Sequence, residues 1–409
     1  MTIVTLKLKD MGHGGYAIGR DKKNRVIFVP NAIPGESVEV EVPDNEHKGR
    51  RYAHAQLLQV TKAVKARVEP RCAHASEGSC SSFQHVVYES QLYFKQKIVA
   101  DQFQRIAKLS PEVRKVWASP QIWDYQHEVR LSPTAVGGLG LWSPLQQTIL
   151  PIPDCALLVP ALRELLADFE LDFPTLRKVT LRQGHDESLL VALEVEDVEP
   201  PELTVDFPVS VTIVLPDQTT ANLIGENFVT SDIHGRVFQV SAGCYFYSNP
   251  GAAGLLIDAV LKAANLHGRE RVLELYSGVG TLTAFVAEQA AEVVGIEINE
   301  DAVADAAVNL DNYDNISLYQ SDVADVLPEL DFAPEVVLVH APEAGVPTAV
   351  WRDVTRLKPQ RIIHISDDLA TLARDSQSLK KAGYRLQYIQ PVDMAPHTFG
   401  VTALALWVG

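Results

Sequence analysis

From Asn249-Pro250 onward, short apolar runs alternate with helix-period segments at the spacing of βαβ units. This alternation constrains the fold more than any other feature of the 409-residue chain. Gly254–Ala264 reads as a helix, Arg271–Leu275 as a strand and Thr281–Ala290 as a helix. Val293–Ile298 follows as a strand, Asp301–Leu310 as a helix and Ile316–Gln320 as a strand; Val336–Val339, Arg361–Ile365 and Leu404–Val408 complete the set. The pattern predicts an α/β unit with a doubly wound, Rossmann-like parallel sheet over residues 251–409.

The first strand runs into Glu274-Leu-Tyr-Ser277-Gly278-Val-Gly280-Thr-Leu-Thr, which then opens a helix. Gly278 and Gly280 allow a tight bend and close approach of a ligand, and the helix start beyond them presents N–H groups. A dinucleotide fingerprint would place a third glycine where Thr283 stands. The acidic residue before the loop and the missing glycine fit S-adenosylmethionine better than a nicotinamide dinucleotide. Glu297 ends the second strand at the spacing from which a carboxylate accepts both ribose hydroxyls, and Asp322 follows the third strand, placed to accept from an adenine amino group. A glycine turn packing helix on sheet, with two strand-end charges, is the bland alternative; three spaced elements favour a nucleotide.

The front of the chain has a different texture. Thr2–Lys9 and Ser37–Val42 alternate at period two, and Arg25–Pro30 and Tyr52–Val60 read as further strands between glycine- and proline-containing turns. Such a series predicts a small barrel of the oligonucleotide-binding kind over residues 1–62. Val87–Lys108 has helical spacing with Leu92, Ile98, Phe103 and Ile106 inward, and from Val129 to about Val240 strands dominate around one helix, Pro160–Phe169. Residues 63–250 are therefore expected to form a mixed, mostly β central unit.

Net charge is −16, against generic nucleic-acid binding, but residues 1–115 hold 19 Lys+Arg against 12 Asp+Glu. A polyanion would meet this basic front, which solvated surface charge explains equally well. Lys48-Gly-Arg50-Arg51 suits phosphate contact or a solvated turn alike. With 46% hydrophobic and 22% charged residues, no apolar run near the roughly 20 residues of a membrane span and no secretory signal, a soluble protein is expected. Four cysteines in so long a chain make no disulfide framework, which points to a cytoplasmic protein.

The glycine loop, together with Val-Ser-Ala-Gly243, Leu-Ala-Thr-Leu-Ala-Arg374-Asp375 and Asp393-Met-Ala-Pro-His397-Thr, resembles the bacterial RNA uracil-5-methyltransferase family over essentially the whole chain. Gly-Tyr-Ala-Ile-Gly-Arg20 through Phe28-Val-Pro-Asn-Ala-Ile-Pro-Gly-Glu36 resembles its N-terminal TRAM domain. The resemblance implies an RNA partner (rRNA or tRNA, not DNA), a class I methyltransferase domain and S-adenosylmethionine. In the family's reaction a cysteine thiolate adds to uracil carbon 6, the resulting enolate takes the methyl group at carbon 5, and a carboxylate removes the carbon-5 proton before the thiol leaves.

Here the residues that this chemistry requires are replaced. Asp367, in Ser366-Asp367-Asp368, occupies the nucleophile's place, and a carboxylate is a weak Michael donor. Thr402 stands where the base glutamate belongs, and threonine takes no proton near neutral pH. His340-Ala-Pro-Glu343-Ala-Gly345 replaces an acidic residue by His340 and an arginine by Glu343; Tyr247 replaces a glutamine in Phe246-Tyr247-Ser248-Asn249 beside the donor. Four departures at one site imply that uridine carbon-5 methylation is lost. The resemblance thus identifies a homologue without deciding whether it is an active enzyme. A non-covalent methyltransferase, with Asp367, Asp368 or His340 as base, and a scaffold without activity are the alternatives.

Some relatives in this family hold a four-iron, four-sulfur cluster. Cys72, Cys80 and Cys155 fall at three of the ligand positions and Phe83 at the remaining one, so relic cysteines in packed positions are expected rather than a cluster. Cys244 reads as a small core residue, and His397 as one that orients a loop.

Overall fold

The computed structural model describes residues 2–43, 51–77, 81–169, 173–197, 205, 207–217 and 219–409. At the front, a three-stranded sheet of Thr2–Lys7, Ser37–Val42 and Gln56–Lys62 packs over a four-stranded sheet of Asp10–Met11, Ala17–Arg20, Val26–Val29 and Tyr52–His54. The strict alternation of Ser37–Val42 turns Val38, Val40 and Val42 inward against Leu6, Ile27 and Val29. The strand expected over Thr2–Lys9 ends at Lys7, because Leu8 donates to the Glu36 carbonyl while Lys9 already donates to that of Ile18 in the other sheet. Likewise Tyr52–Val60 is two strands, not one. Ala55 is the corner at which the chain leaves its parallel partner Val26–Val29 and joins Ser37–Val42 antiparallel. The barrel is closed below by buried Glu36, which Arg67 grips with two hydrogen bonds of 2.7 Å.

The middle of the chain supplies a seven-stranded sheet in the order Thr148–Pro151, Leu139–Ser143, Glu128–Pro133, Leu176–Gln183, Leu189–Val195, Ser210–Val214, Thr220–Ile224. The helix Pro160–Ala167 packs Leu162, Leu165 and Leu166 against it. The helix Tyr88–Gln102, with its π-helical extension Phe103–Ala107, behaves differently from the rest of this region. Ile98 and Phe103 are buried, and Leu92 and Ile106 partly so, in the core of the C-terminal unit, alongside Leu369 and Leu372.

The C-terminal sheet has the order Ile316–Gln320, Glu292–Glu297, Arg271–Leu275, Val336–His340, Arg361–Ser366, Thr402–Val408, Arg385–Val392. Its first five strands are parallel, and Thr402–Val408 enters antiparallel between Arg361–Ser366 and Arg385–Val392. Central strands such as Val336–His340 are apolar along their length because helices cover both faces. Arg385–Val392 is absent from the sequence-based strand set, since its polar residues, Arg385, Gln387 and Gln390, suit an edge rather than a buried strand. Asn249 begins the leading helix Pro250–Ala264: its side chain accepts from Ala252 N at 3.1 Å, and Pro250 takes the first helical position. No helix among the described residues is long and apolar enough to cross a membrane.

Candidate functional site

The loop after Arg271–Leu275 turns on three left-handed residues, Tyr276 (φ 62°), Gly278 (φ 54°) and Gly280 (φ 82°). The glycines serve different purposes. A Cβ on Gly280 would lie 2.7 Å from Leu310, so this position lets the helix Glu300–Asn309 pack close; a Cβ on Gly278 would meet nothing within 4 Å, so this position faces open space. Glu297 fixes the loop: its carboxylate accepts from Gly278 N at 2.9 Å and from Ile298 N and Asn299 N at 2.8 Å. Asp322 is exposed, and one of its oxygens caps the helix Val323–Val326 through Ala324 N at 2.8 Å. Ser277 brings a buried hydroxyl that has no hydrogen-bond partner.

Thr283 has a use that the glycine fingerprint hides. Its hydroxyl donates to the buried carboxyl of Glu274 at 2.7 Å. Burial pushes that carboxyl up to about 8; the Thr283 hydrogen bond opposes the shift and the charge of Glu297 adds to it.

Facing the loop across the cleft is the extended segment Tyr245-Phe246-Tyr247. Phe246 and Tyr247 are buried in the core behind the cleft, Tyr245 is exposed, and all three side chains border the cleft. The Tyr247 ring lies nearly parallel to His340 (19°, centroids 5.8 Å apart), and its hydroxyl is 3.3 Å from His340 Nδ1. Tyr245 meets both rings edge-on. Burial pushes the His340 imidazole below its usual range, with Asp367 opposing. Beneath it His364 is fully buried, its ring nitrogens without a partner, and burial holds it down to about 3. With these rings in place, about 40 Å³ of free space remains between them and the glycine loop.

The register of the last strands sets the other half of the cleft. Ser366 pairs with Ala403, so the residues one step beyond, Asp367 and Thr402, meet at the strand ends, and the Thr402 hydroxyl donates to the Asp367 carboxylate. Tyr245 Oη donates to the other Asp367 oxygen at 3.4 Å. Asp368 is turned away, capping the helix Leu369–Lys381 through Thr371 N at 2.6 Å. Glu343 is exposed, while Arg374 and Asp375 hold its loop by the Ala344 carbonyl and Val346 N.

Supporting residues that sequence reading left out lie one layer behind. Arg182, paired with Glu128, donates to the carbonyls of Ser241 (3.0 Å) and Cys244 (2.7 Å) and so fixes the segment that carries the two tyrosines. Lys95, fully buried, binds Asp393 at 2.5 Å and the Ala395 carbonyl at 2.9 Å. His397, by contrast, is the residue that the sequence marks as orienting a loop: at φ 65° it stacks on Trp123 at 3.7 Å and takes both ends of the Gln91 amide. A lone lysine or arginine in a strand- or helix-period run gives no signal of such a role.

Cys72 and Cys155 are buried near one another: Cys72 Sγ accepts from Gln84 Nε2 at 3.1 Å and from Ala156 N at 3.4 Å. Phe83 is buried in the core, and Cys80 lies outside the described residues, as do Lys48 and Arg50. Cys244 is buried, and its thiol is pushed up by burial and by Asp305.

With that geometry in view, the TRAM domain family matches residues 2–58 and the ribosomal RNA adenine dimethylase family matches residues 251–333. Proteins named as uncharacterized RNA methyltransferases match from end to end. The one from Halalkalibacterium halodurans is 28% identical over 99% of this chain and 96% of its own length, and the one from Streptomyces avermitilis is 28% identical over 98% and 97%. The chain thus carries a TRAM domain and is similar over its whole length to proteins named as RNA methyltransferases. In fold, the chain is similar to the Pyrococcus abyssi tRNA (uracil-54, C5)-methyltransferase, solved with S-adenosyl-L-homocysteine. That structure superposes with a TM-score of 0.74 and 24% identity over 98% of this chain and 100% of its own. The C-terminal unit thus has the S-adenosylmethionine-dependent methyltransferase fold, and the N-terminal barrel is a TRAM domain.

Proposed function

We propose that this protein is an RNA-binding member of the family that has given up covalent uracil carbon-5 methylation. The observation that carries the reading is the contact between Asp367 and Thr402: the two positions that the reaction needs as nucleophile and base hydrogen-bond to each other. A carboxylate in that bond adds poorly to carbon 6 of uracil, and a hydroxyl that donates to it removes no proton. Cys72, Cys155 and Cys244 are engaged elsewhere, so none of these described cysteines can substitute. The decisive assay offers the purified protein and labelled S-adenosylmethionine to RNA from a strain lacking its own uridine methylases. No 5-methyluridine is expected, and its formation would end this reading.

The donor site fits S-adenosylmethionine in its polar groups. Glu297 would take the ribose, Gly278 permits close approach, Asp322 lies where an adenine amino group would be read, and the unpartnered Ser277 hydroxyl is available. Bound there, the donor supplies an electrophilic methyl group. Tyr247 and His340 narrow the space before Glu274 and Ser277, so the sulfonium end of the donor would have to part them, whereas Glu297 and Asp322 lie outside that space.

His340 favours a second reading, methyl transfer to nitrogen or oxygen without a covalent adduct, because its imidazole stands in the cleft and the charge of Asp367 favours the proton it would take up. Tritium entering RNA at an atom other than uracil carbon 5 would select it. A pure scaffold would show no heat with S-adenosylmethionine, whereas binding abolished by Glu297→Ala excludes the scaffold. We propose the units 1–62, 63–250 and 251–409, with the helix Tyr88–Gln102 docked on the third.

A further inference from the structure

Four rings crowd the outward face of the four-stranded barrel sheet. Phe28 and His54 are register partners on adjacent strands and stack at 5.1 Å with 22° between their planes. Tyr16 meets His54 edge-on at 5.4 Å, and Tyr52 meets Phe28 edge-on at 6.1 Å. Period-two alternation explains the grouping: Ile27, Val29 and Ala53 point into the barrel, which sends Phe28, Tyr52 and His54 outward. Tyr52 and His54 are exposed, and Tyr16 and Phe28 are half-buried beneath them. The barrel's own core is aliphatic.

The charge around the rings is cationic. Arg20 shares the outward face, Arg51 immediately precedes Tyr52, and Lys22 and Lys23 are exposed in the adjoining turn. The acids nearby are already engaged, Asp10 with Lys97 at 3.0 Å and Asp21 with Arg25 at 2.9 Å. The aromatic surface also extends toward the cleft. His13 meets Phe399 edge-on at 5.6 Å, both residues are exposed, and Phe399 lies three residues before Thr402.

We propose that this face is a stacking platform for unpaired RNA bases, which leads a single strand past His13 and Phe399 to the cleft at Asp367 and Thr402. The proposal rests on the RNA-binding reading above and adds to it the surface and the conformation of the RNA. Aromatic faces framed by cations take bases that are already unstacked, and a duplex keeps its base faces covered.

The test measures fluorescence anisotropy of a labelled, unstructured 12-nucleotide RNA, and of a duplex of the same length, with the full-length protein. Tyr52→Ala and His54→Ala should each weaken single-strand binding about 5- to 150-fold, the equivalent of one stacked base. Tyr52→Phe should retain wild-type affinity, and duplex binding should not change in any variant. The salt slope should also stay constant, because no phosphate contact is removed. Both positions are exposed, so the barrel still folds, which thermal melts verify. Wild-type affinity in both alanine variants overturns the platform while leaving RNA binding intact, as does an equal loss for single strand and duplex. A wild-type protein that binds neither RNA defeats the RNA-binding reading and the platform together.

Discussion

Replacing Tyr247 by glutamine should open the donor cleft. On the proposed reading, the sulfonium end of a donor must separate the Tyr247 ring from His340 before it can seat against Glu274 and Ser277. Separation forfeits an aromatic pair worth about 0.5–1.5 kcal/mol and a hydrogen bond worth about 0.5–1.5 kcal/mol. Together these set a penalty of about 1–3 kcal/mol on donor binding, or roughly 5- to 150-fold in Kd. Tyr247→Gln removes the ring and so the penalty. Calorimetric titration with S-adenosylhomocysteine should show tighter binding by that factor, and Tyr247→Phe, which removes only the hydrogen bond, should recover no more than about tenfold. The substitution also removes buried ring contacts with Phe246, so the variant's thermal melt must show a folded protein at the titration temperature. Unchanged or weaker binding by folded Tyr247→Gln would refute the argument that the ring obstructs the donor.

Glu274 should make stability fall as pH rises. Its folded carboxyl titrates at about 8 rather than 4.5, so the folded state holds a proton that the unfolded state has lost between those values. Denaturant unfolding across pH 5–8 should therefore lose at most about 1.4 kcal/mol per pH unit from this group, and Glu274→Gln should flatten that slope. Lys95→Met should destabilise by about 3–5 kcal/mol, because it leaves Asp393 charged and buried, whereas pairing it with Asp393→Leu should recover most of the loss; equal losses in single and double variants would contradict this. Arg182→Met should destabilise by about 1–3 kcal/mol, because it leaves the buried Ser241 and Cys244 carbonyls without this donor while Arg130, at 3.1 Å, still pairs with Glu128. Because it releases the Tyr245–Tyr247 segment, that variant should also alter S-adenosylhomocysteine affinity, which a packing defect elsewhere would leave unchanged.

Much of the fold was legible because periodicity reports burial. The parallel strands of the last unit, buried on both faces, read as apolar runs, and Ser37–Val42 alternates because one side of it fills the barrel. What failed was local information about partners. Nothing in Thr2–Lys9 or Tyr52–Val60 marks the residue at which a strand exchanges one sheet for another, since the switch at Leu8 and at Ala55 is set by carbonyls distant in sequence. Arg385–Val392 was hidden for the opposite reason, as an edge strand tolerates the polar residues that a central strand excludes.

The site divides the same way. The glycine loop, Glu297 and Asp322 occupy fixed offsets along βαβ units, so spacing suffices to bring them to one sheet end. Asp367 and Thr402 could be matched to a family's motifs, but their mutual hydrogen bond follows from the antiparallel register of Ser366 with Ala403. That register bears on the functional argument. In two unrelated replacements, each side chain would have been free to find its own partner. Here the hydroxyl satisfies the carboxylate across the strand ends, and Tyr245 satisfies its second oxygen. An unpaired carboxylate at this position would lack both donors, and each is worth about 1.5–3 kcal/mol to a charged acceptor. Asp367 and Thr402 therefore stabilise one another as a pair. On the proposed reading, Asp367→Cys or Thr402→Glu alone would break this contact without supplying both a nucleophile and a base. Neither single variant should form 5-methyluridine, and a single variant that did so would show that the pair is not what silences the site.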